Sequence, residues 1–455
     1  MTEPAKTEDH RTMPAPLASP EAAAGEGLPK VVGRVALVSY FFPPTGGAGT
    51  QRAAKLARYL PDSGWTSTVF CADSGSSVSQ WTPEDESLLA NIDERTEVVR
   101  SPGVGEAWTD RVGDAIEALV ESGEIDAVLV TMSPFWLAPL IERLGPRVPI
   151  IADLRDPWAL DGVPIYRHWF QWRQDLRRMG RTLEAAHAVV MNTPEARDVV
   201  LRTFRTLSPE RVRAIGNGFD AEDFRTAEPK PRPEGTSFML VHTGTFLTRQ
   251  AIRPPTLVAR MKSRVHYRPE PLQPMGRSVG PLLRAMELLR RDKPDLLDGF
   301  RFVNVGTLDD DTRRWIDESS VSDIVVATGY VPHAEAIGWL MGADALFLHL
   351  HGLPAGHRAR IVPGKAYEYL ASGRPILGAV PAGDAFDLVQ SRARGVVADP
   401  CDASSIAAGL ERLILSKGAL VEPALSDPDL TRFDRREIAS RFAELLSACV
   451  REGAR

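Results

Sequence analysis

The sequence predicts an α/β chain of two domains, each a parallel sheet with helices on both faces. Three observations predict it. At 455 residues the chain is longer than one hydrophobic core usually organises. Apolar strand-like runs alternate with helical patterns, the βαβ signature of a parallel sheet. The alternation breaks once, at AEPKPRPEGTS (227–237), rich in Pro, Gly and charge as an interdomain linker should be, and then restarts. Composition agrees: 43% hydrophobic and 25% charged residues are ordinary for a soluble protein, and a net charge of -6 supplies no global basic field to recruit nucleic acid. Cys71, Cys401 and Cys449 lie far apart without CxxC spacing. That argues against a disulfide framework and a zinc site, and fits a reducing, cytoplasmic setting. There is no apolar run of about 18 residues or more to span a membrane. Residues 1–30, rich in Ala, Pro, Glu and Thr without an apolar core, read as a disordered tail.

In order along the first half, VALVSY (35–40) predicts a strand, followed by a glycine-rich turn and the helix TQRAAKLARYLPDSG. TSTVFCA (66–72), DAVLVTMS (126–133), VPIIADL (148–154) and AVVMNT (188–193) predict further strands, with AIEALVESG, APLIERLG and much of 166–186 as helices between them. After the linker, FMLVHTG (238–244), FRFVNVG (300–306), DIVVATGYV (323–331), ALFLHL (345–350) and RPILGAV (374–380) read as strands, separated by helices such as GPLLRAMELLRR and AEAIGWLMGA. FDRREIASRFAELLSA (433–448) is an amphipathic helix with Phe433, Ile438, Phe442, Leu445 and Leu446 on one face. One segment does not fit. Residues 247–277 are Pro-rich and carry seven Lys/Arg against one Glu, and they read as an inserted loop. Two such halves place an active site in the cleft between them.

The turn in YFFPPTGGAGTQR (40–52) sits between the first strand and helix, where backbone N–H groups and the helix dipole favour an anion. Gly47-Ala48-Gly49 opens a GxGxxG dinucleotide pattern, but the third glycine position is Arg52, so the pattern is half-met. A nicotinamide or flavin cofactor, another diphosphate ligand, or a bare structural turn stiffened by Phe41-Phe42-Pro43-Pro44 all remain open at this point.

The same stretch, FPPTGGAGTQRAAKLARYLPDSGW, resembles the opening loop of GT-B glycosyltransferases of retaining family four. Further resemblances follow in the family's order: IIADLRDPW (150–158), IGNGFDAEDF (215–224), LVHTGTF (240–246) and IVPGKAYEYLASGRPILG (361–378). The resemblance covers roughly residues 33 to 450. It implies two Rossmann-like parallel-sheet domains facing across a cleft, with a C-terminal helix crossing back to the first. The domains would be an acceptor domain (31–228), a nucleotide-sugar domain (236–430) carrying the 247–277 insertion, and the crossing helix (431–455). It also implies sugar transfer from a nucleoside-diphosphate donor to an acceptor hydroxyl, with retention, and no metal or cofactor beyond the nucleotide sugar.

Site residues follow by position in these motifs. Glu368 would accept hydrogen bonds from the donor's ribose, because a carboxylate offers several lone pairs to a vicinal diol. Lys365, one helical turn earlier, would set an ammonium against the diphosphate, where charge develops as the glycosidic bond breaks. Arg277 would supply the guanidinium fork, with Arg249 a competitor because the insertion blurs the alignment. Gly46, Gly47, Gly244, Thr245 and Gly364 would meet the donor through backbone, and Gly329-Tyr330-Val331 would lie beside its base. Asp153, Arg155 and Asp156 form a charged cluster that reads equally as an acceptor site or a structural ion-pair network.

Two departures stand out: Arg360 occupies the position of a second family Glu near the donor sugar, and SPFW (133–136) stands where some members place a histidine. Ala359, Arg360, Ile361 and Gly364 are therefore candidates for the donor-sugar contact. In the retaining mechanism proposed for this fold the leaving diphosphate takes the acceptor proton, so no catalytic base is named. His349, His351 and His357 offer an HxH pair on a strand but no Cys or acidic ligand to complete a metal site. YRHWFQWRQDLRRMGR (166–181) carries four aromatics and five Arg. It fits an amphipathic cover for the first domain or contact with an anionic membrane face. A nucleotide-sugar epimerase of the same fold, and a non-catalytic partner protein with a degenerate site, are the alternative functions.

Overall fold

The computed structural model describes residues 31–46, 48–73, 86–252, 266–392, 395–416, 425 and 427–453. The expected tail (1–30), Gly47 and the middle of the insertion (253–265) lie outside the described residues.

The first sheet has seven strands: β1 (Gly33–Val38), β2 (Trp65–Ala72), β3 (Glu97–Ser101), β4 (Ala127–Thr131), β5 (Ile150–Leu154), β6 (Ala188–Met191) and β7 (Val212–Ala214). All pairs are parallel, in the order β3-β2-β1-β4-β5-β6-β7. The second has six: β8 (Phe238–Thr243), β9 (Phe300–Val305), β10 (Val325–Gly329), β11 (Ala345–His349), β12 (Ile376–Ala379) and β13 (Val396–Ala398), in the order β10-β9-β8-β11-β12-β13. Every residue of β4, β5 and β11 is buried, as continuous apolar runs covered on both faces require. In each sheet the order reverses beside the first strand, between β1 and β4 and between β8 and β11. Crevices open there at the carboxyl ends of the strands.

β3, β7 and β13 were not legible as strands. β3 (EVVRS) and β7 (VRA) are edge strands with exposed or half-exposed residues, and β13 has three residues. Their pairing comes from the neighbouring strand more than from their own pattern.

The C-terminal helix Arg435–Gly453 buries Ile438, Ala439, Phe442, Ala443 and Leu446 among Val35, Leu37, Leu56 and Val69 of the first domain. Its entry is fixed by Phe219 N–H donating to the Phe433 carbonyl at 3.0 Å and Arg435 N–H donating to the Phe219 carbonyl at 2.9 Å. Phe219, Ala221 and Phe224 pack into the second domain's core with Met239 and Val241. The linker then runs along that domain, with Lys230 N–H donating to the Gly338 carbonyl at 2.9 Å and Arg232 gripping Asp344 through two bonds of 2.8 Å.

The insertion is not a structureless loop where it is described. Thr248–Ile252 is helical and Pro274–Arg277 is a 3-10 turn. The Thr248 hydroxyl is buried and accepts from Thr312 at 2.7 Å. Tyr267 exchanges two backbone hydrogen bonds with Tyr166 of the first domain, at 3.0 and 2.9 Å. Glu270 is buried and its carboxylate lies 2.7 Å from the Arg360 guanidinium. The insertion thereby straps the two domains together.

Candidate active site

Between the two switch points lies a cleft of about 770 Å³. β8 ends in Thr243, held by its N–H donating to the buried Tyr369 hydroxyl at 2.8 Å. The chain then turns at Gly244, whose φ of 104° lies in the left-handed region, and an added Cβ would stand 2.8 Å from Lys365 Nζ. Only glycine lets the turn and the lysine share this space. Gly244, Thr245, Gly364, Lys365, Glu368, Arg277 and Val331 all line the cleft, as do Arg155 and Asp156 from the first domain. Arg249 is exposed and does not line it, so the guanidinium facing the cleft from this region is Arg277.

The helix Gly364–Ala371 points its N-terminus at the cleft, adding the positive end of its dipole to Lys365, Arg277 and Arg155. The site is poised for negative charge. Burial, then the neighbouring Arg277 cation, lower Lys365 to about 7 against a partial offset from Glu368. Burial also lowers Arg277, offset by Asp161 and Asp156, and it lowers Arg155. His242 is buried, and burial, then Lys365, hold it well below the ordinary imidazole range. A neutral His242 donates from Nδ1 to the Phe347 carbonyl at 2.9 Å, which leaves Nε2 as an acceptor 3.3 Å from Lys365 Nζ. At the other end, Glu368 retains 18% side-chain exposure, with His333 Nε2 at 3.8 Å. His333 also hydrogen-bonds Asp223 at 3.2 Å. Burial works to lower His333, but the Asp223 bond and the Glu368 and Asp223 charges raise it overall.

The structure does not bring every expected residue to the cleft. Asp153 is fully buried and accepts two bonds of 2.8 Å from Arg52. Arg52 also donates to the Gly216 and Ile215 carbonyls at 2.7 and 2.9 Å. Asp153 is therefore a structural ion pair, and the acceptor expectation falls to Arg155 and Asp156. Arg52 replaces the third glycine of the dinucleotide pattern for this reason: it clamps the helix Ala48–Tyr59 to β5 and to residues Ile215 and Gly216. Gly46 is buried and does not line the cleft. The described part of the glycine turn holds Arg155 instead, whose Nη1 donates to the Gly49 carbonyl at 2.7 Å.

Arg360, the departure from the family's Glu, does not line the cleft. Its guanidinium meets Glu270 and the Leu160 carbonyl, and its backbone carbonyl accepts from Thr193 at 2.8 Å. SPFW serves packing: Phe135 stacks on Trp158 at 5.1 Å, and Trp136 joins Tyr40 and Trp108. Trp158 itself has φ 45°, a strained value for a bulky residue, so the RDPW turn is held by its surroundings. His349 stacks on Phe246 at 4.6 Å and His357 is exposed. No group of three His, Cys, Asp or Glu side chains suited to a metal occurs among the described residues. Lys55, His333, Asn217 and Arg435 line the cleft without having been singled out from the sequence. For His333 the signal was two positions beyond Tyr330-Val331, and for Arg435 it was the basic start of the crossing helix.

Residues 45–223 match the family model described as Glycosyltransferase Family 4, and residues 275–416 match Glycosyl transferases group 1. The chain belongs to the GT-B glycosyltransferases. Solved structures of the same fold include sucrose-phosphate synthase from Thermosynechococcus elongatus, with 14% identity, TM-score 0.57 and 93% of this chain and 97% of that one covered. An Anabaena protein in complex with UDP and glucose matches at 14% identity and TM-score 0.51, covering 93% and 98%. UDP-GlcNAc 2-epimerase from Neisseria meningitidis bound to UDP-GlcNAc matches at 12% identity and TM-score 0.51, covering 91% and 99%. No curated protein matches by sequence. At these identities the structures share the fold with this glycosyltransferase, whereas the two family models carry the assignment to sugar transfer.

Proposed function

We propose that this glycosyltransferase moves a sugar from a nucleoside-diphosphate donor to an acceptor hydroxyl with retention of anomeric configuration. The single observation that carries the reading is one cleft lined by the Gly244 turn with Lys365 beside it, by Arg277 and by a helix N-terminus, with Glu368 one helical turn beyond Lys365. Cations at one end and a carboxylate at the other match a ligand with an anionic centre and a vicinal diol. In this reading Glu368 accepts from the ribose hydroxyls, oriented by His333. Gly244 and Thr245 offer backbone to the phosphates, and Val331 lies beside the base. Arg277 and Lys365 stabilise the diphosphate as the glycosidic bond lengthens, so they bind the transition state better than the ground state. Asp156 and Arg155 face the acceptor. The acceptor proton passes to the departing diphosphate, which keeps attack and departure on one face of the sugar and requires no protein base. The sugar acceptor is a polysaccharide or lipid-linked precursor, or a small aglycone.

The test is product analysis by NMR with purified enzyme, nucleotide sugars and candidate acceptors. The reading predicts a glycoside whose anomeric coupling constant matches the donor's configuration. An inverted glycoside would overturn retention. Conversion of the donor to its C2 epimer without an acceptor would overturn transfer in favour of the epimerase alternative.

A further inference from the structure

Between residues 163 and 170 the surface carries four large apolar side chains in water: Val163 (44% exposed), Ile165 (55%), Trp169 (56%) and Phe170 (56%). Covering the first domain does not account for them. The helix Trp169–Ala185 does that with its other face, where Met179 and Leu183 are core and Trp172 and Leu176 pack against it. Arg167, Arg173 and Arg177 are exposed around the apolar group. Exposed Arg268 is brought alongside by the Tyr166–Tyr267 bridge and the Trp172–Tyr267 ring contact at 4.8 Å. None of these four arginines forms an ion pair among the described residues. The one acid between 163 and 178, Asp175, is turned inward, accepting from Trp158 Nε1 at 3.1 Å and the Tyr166 hydroxyl at 2.8 Å. The Arg173 guanidinium lies 5.6 Å over the Trp169 ring.

We infer that Val163–Phe170 and the first turns of the following helix dock this enzyme on an anionic lipid bilayer. Exposed aromatic and aliphatic groups enter the headgroup boundary while the arginines meet lipid phosphates, and with a net charge of -6 the attraction has to come from a local basic patch, not from the protein as a whole. The patch leads back to the cleft: Asp161, two residues before Val163, lies within electrostatic reach of the cleft-lining Arg277 and Asp156. The same segment also rests on the strap between the domains, where Gly162 packs against Glu270 and the Leu160 carbonyl accepts from Arg360. A docked enzyme presents its acceptor side to the membrane, which makes a lipid-carried hydroxyl the acceptor class. That last step rests on the transfer reading above; docking does not.

The test is flotation of the full chain with phosphatidylcholine vesicles, with and without phosphatidylglycerol, in the absence of any nucleotide sugar, so its result is independent of whether transfer occurs. Binding to the anionic vesicles is expected, falling with salt, with little to neutral ones. Trp169→Ser with Phe170→Ser is expected to lower partitioning at least about tenfold without shifting Tm. Arg167→Gln with Arg173→Gln lowers it and flattens the salt dependence. Equal binding to neutral vesicles, no binding to anionic ones at low salt, or unchanged binding by the Trp169/Phe170 variant overturns the proposal. Retention on an RNA oligonucleotide without vesicle binding overturns it too, and makes the patch a nucleic-acid surface.

Discussion

Lys365 is buried beside His242, within electrostatic reach of Arg277 and Glu368, and its protonation is the residue-scale lever of this site. Its folded pKa of about 7 lies below the ordinary 10.5. Between those values the folded protein binds fewer protons than the unfolded chain, so this group's contribution to stability rises with pH across that window. The cost of the buried ammonium is fully present below about 7. A bound diphosphate reverses the preference by favouring the cation. Nucleoside-diphosphate binding at about pH 8 is therefore expected to take up protons. Titration calorimetry in buffers of different ionisation enthalpy measures this, and Lys365→Met should abolish the uptake. Unchanged uptake in that variant would assign the proton elsewhere. Glu368→Ala is expected to weaken nucleoside-diphosphate binding about 10- to 100-fold, the worth of hydrogen bonds to a carboxylate, with the fold intact by circular dichroism. Binding unaffected by that change would remove the ribose assignment. The place of both residues in the cleft was legible because their motif is local, a single helix turn. The Arg52–Asp153 clamp was not, because its partners are 101 positions apart and only the fold joins them.

At the scale of elements, the insertion and Arg360 explain each other. A cation stands at the position where many members of the resembled family carry a second glutamate, and its carboxylate partner arrives from the insertion as Glu270. Burial raises the Glu270 carboxyl while Arg360 opposes the rise. Breaking the pair leaves a buried charge unpaired. Arg360→Met and Glu270→Gln are each expected to cost about 1–3 kcal/mol in urea unfolding, with Arg360's partial exposure keeping the value below that of a fully buried pair. The double variant should cost clearly less than the sum. Additive losses would mean that the two side chains act independently. From the sequence the strong βαβ elements were legible, since buried parallel strands are continuous apolar runs. The edge strands β3 and β7 and the three-residue β13 were not. The insertion read as a loop because its prolines and charges carry no periodicity. Its order where described comes from contacts to Tyr166, Arg360 and Thr312 that no local pattern encodes.

For the whole molecule, the two sheets reverse strand order beside β1 and β8, and the cleft takes its residues from both domains and from the crossing helix. That helix completes the first domain's core with Phe442 and Leu446 and lends Arg435 to the cleft. A chain truncated after Asp434 is expected to be insoluble or aggregated, because Val35, Leu37, Leu56 and Val69 lose their cover. A soluble truncated protein with unchanged Tm would show that the first domain closes without it. The central claim is that the cations around Gly244 and the carboxylate of Glu368 hold a nucleoside diphosphate. The measurement that tests it most directly is calorimetric titration of the full chain with UDP, GDP, ADP and dTDP, repeated on Lys365→Ala and Arg277→Ala. The account predicts saturable binding of one or more of the four, strongly weakened in both variants. No binding by any of them, or binding that neither substitution alters, would contradict it.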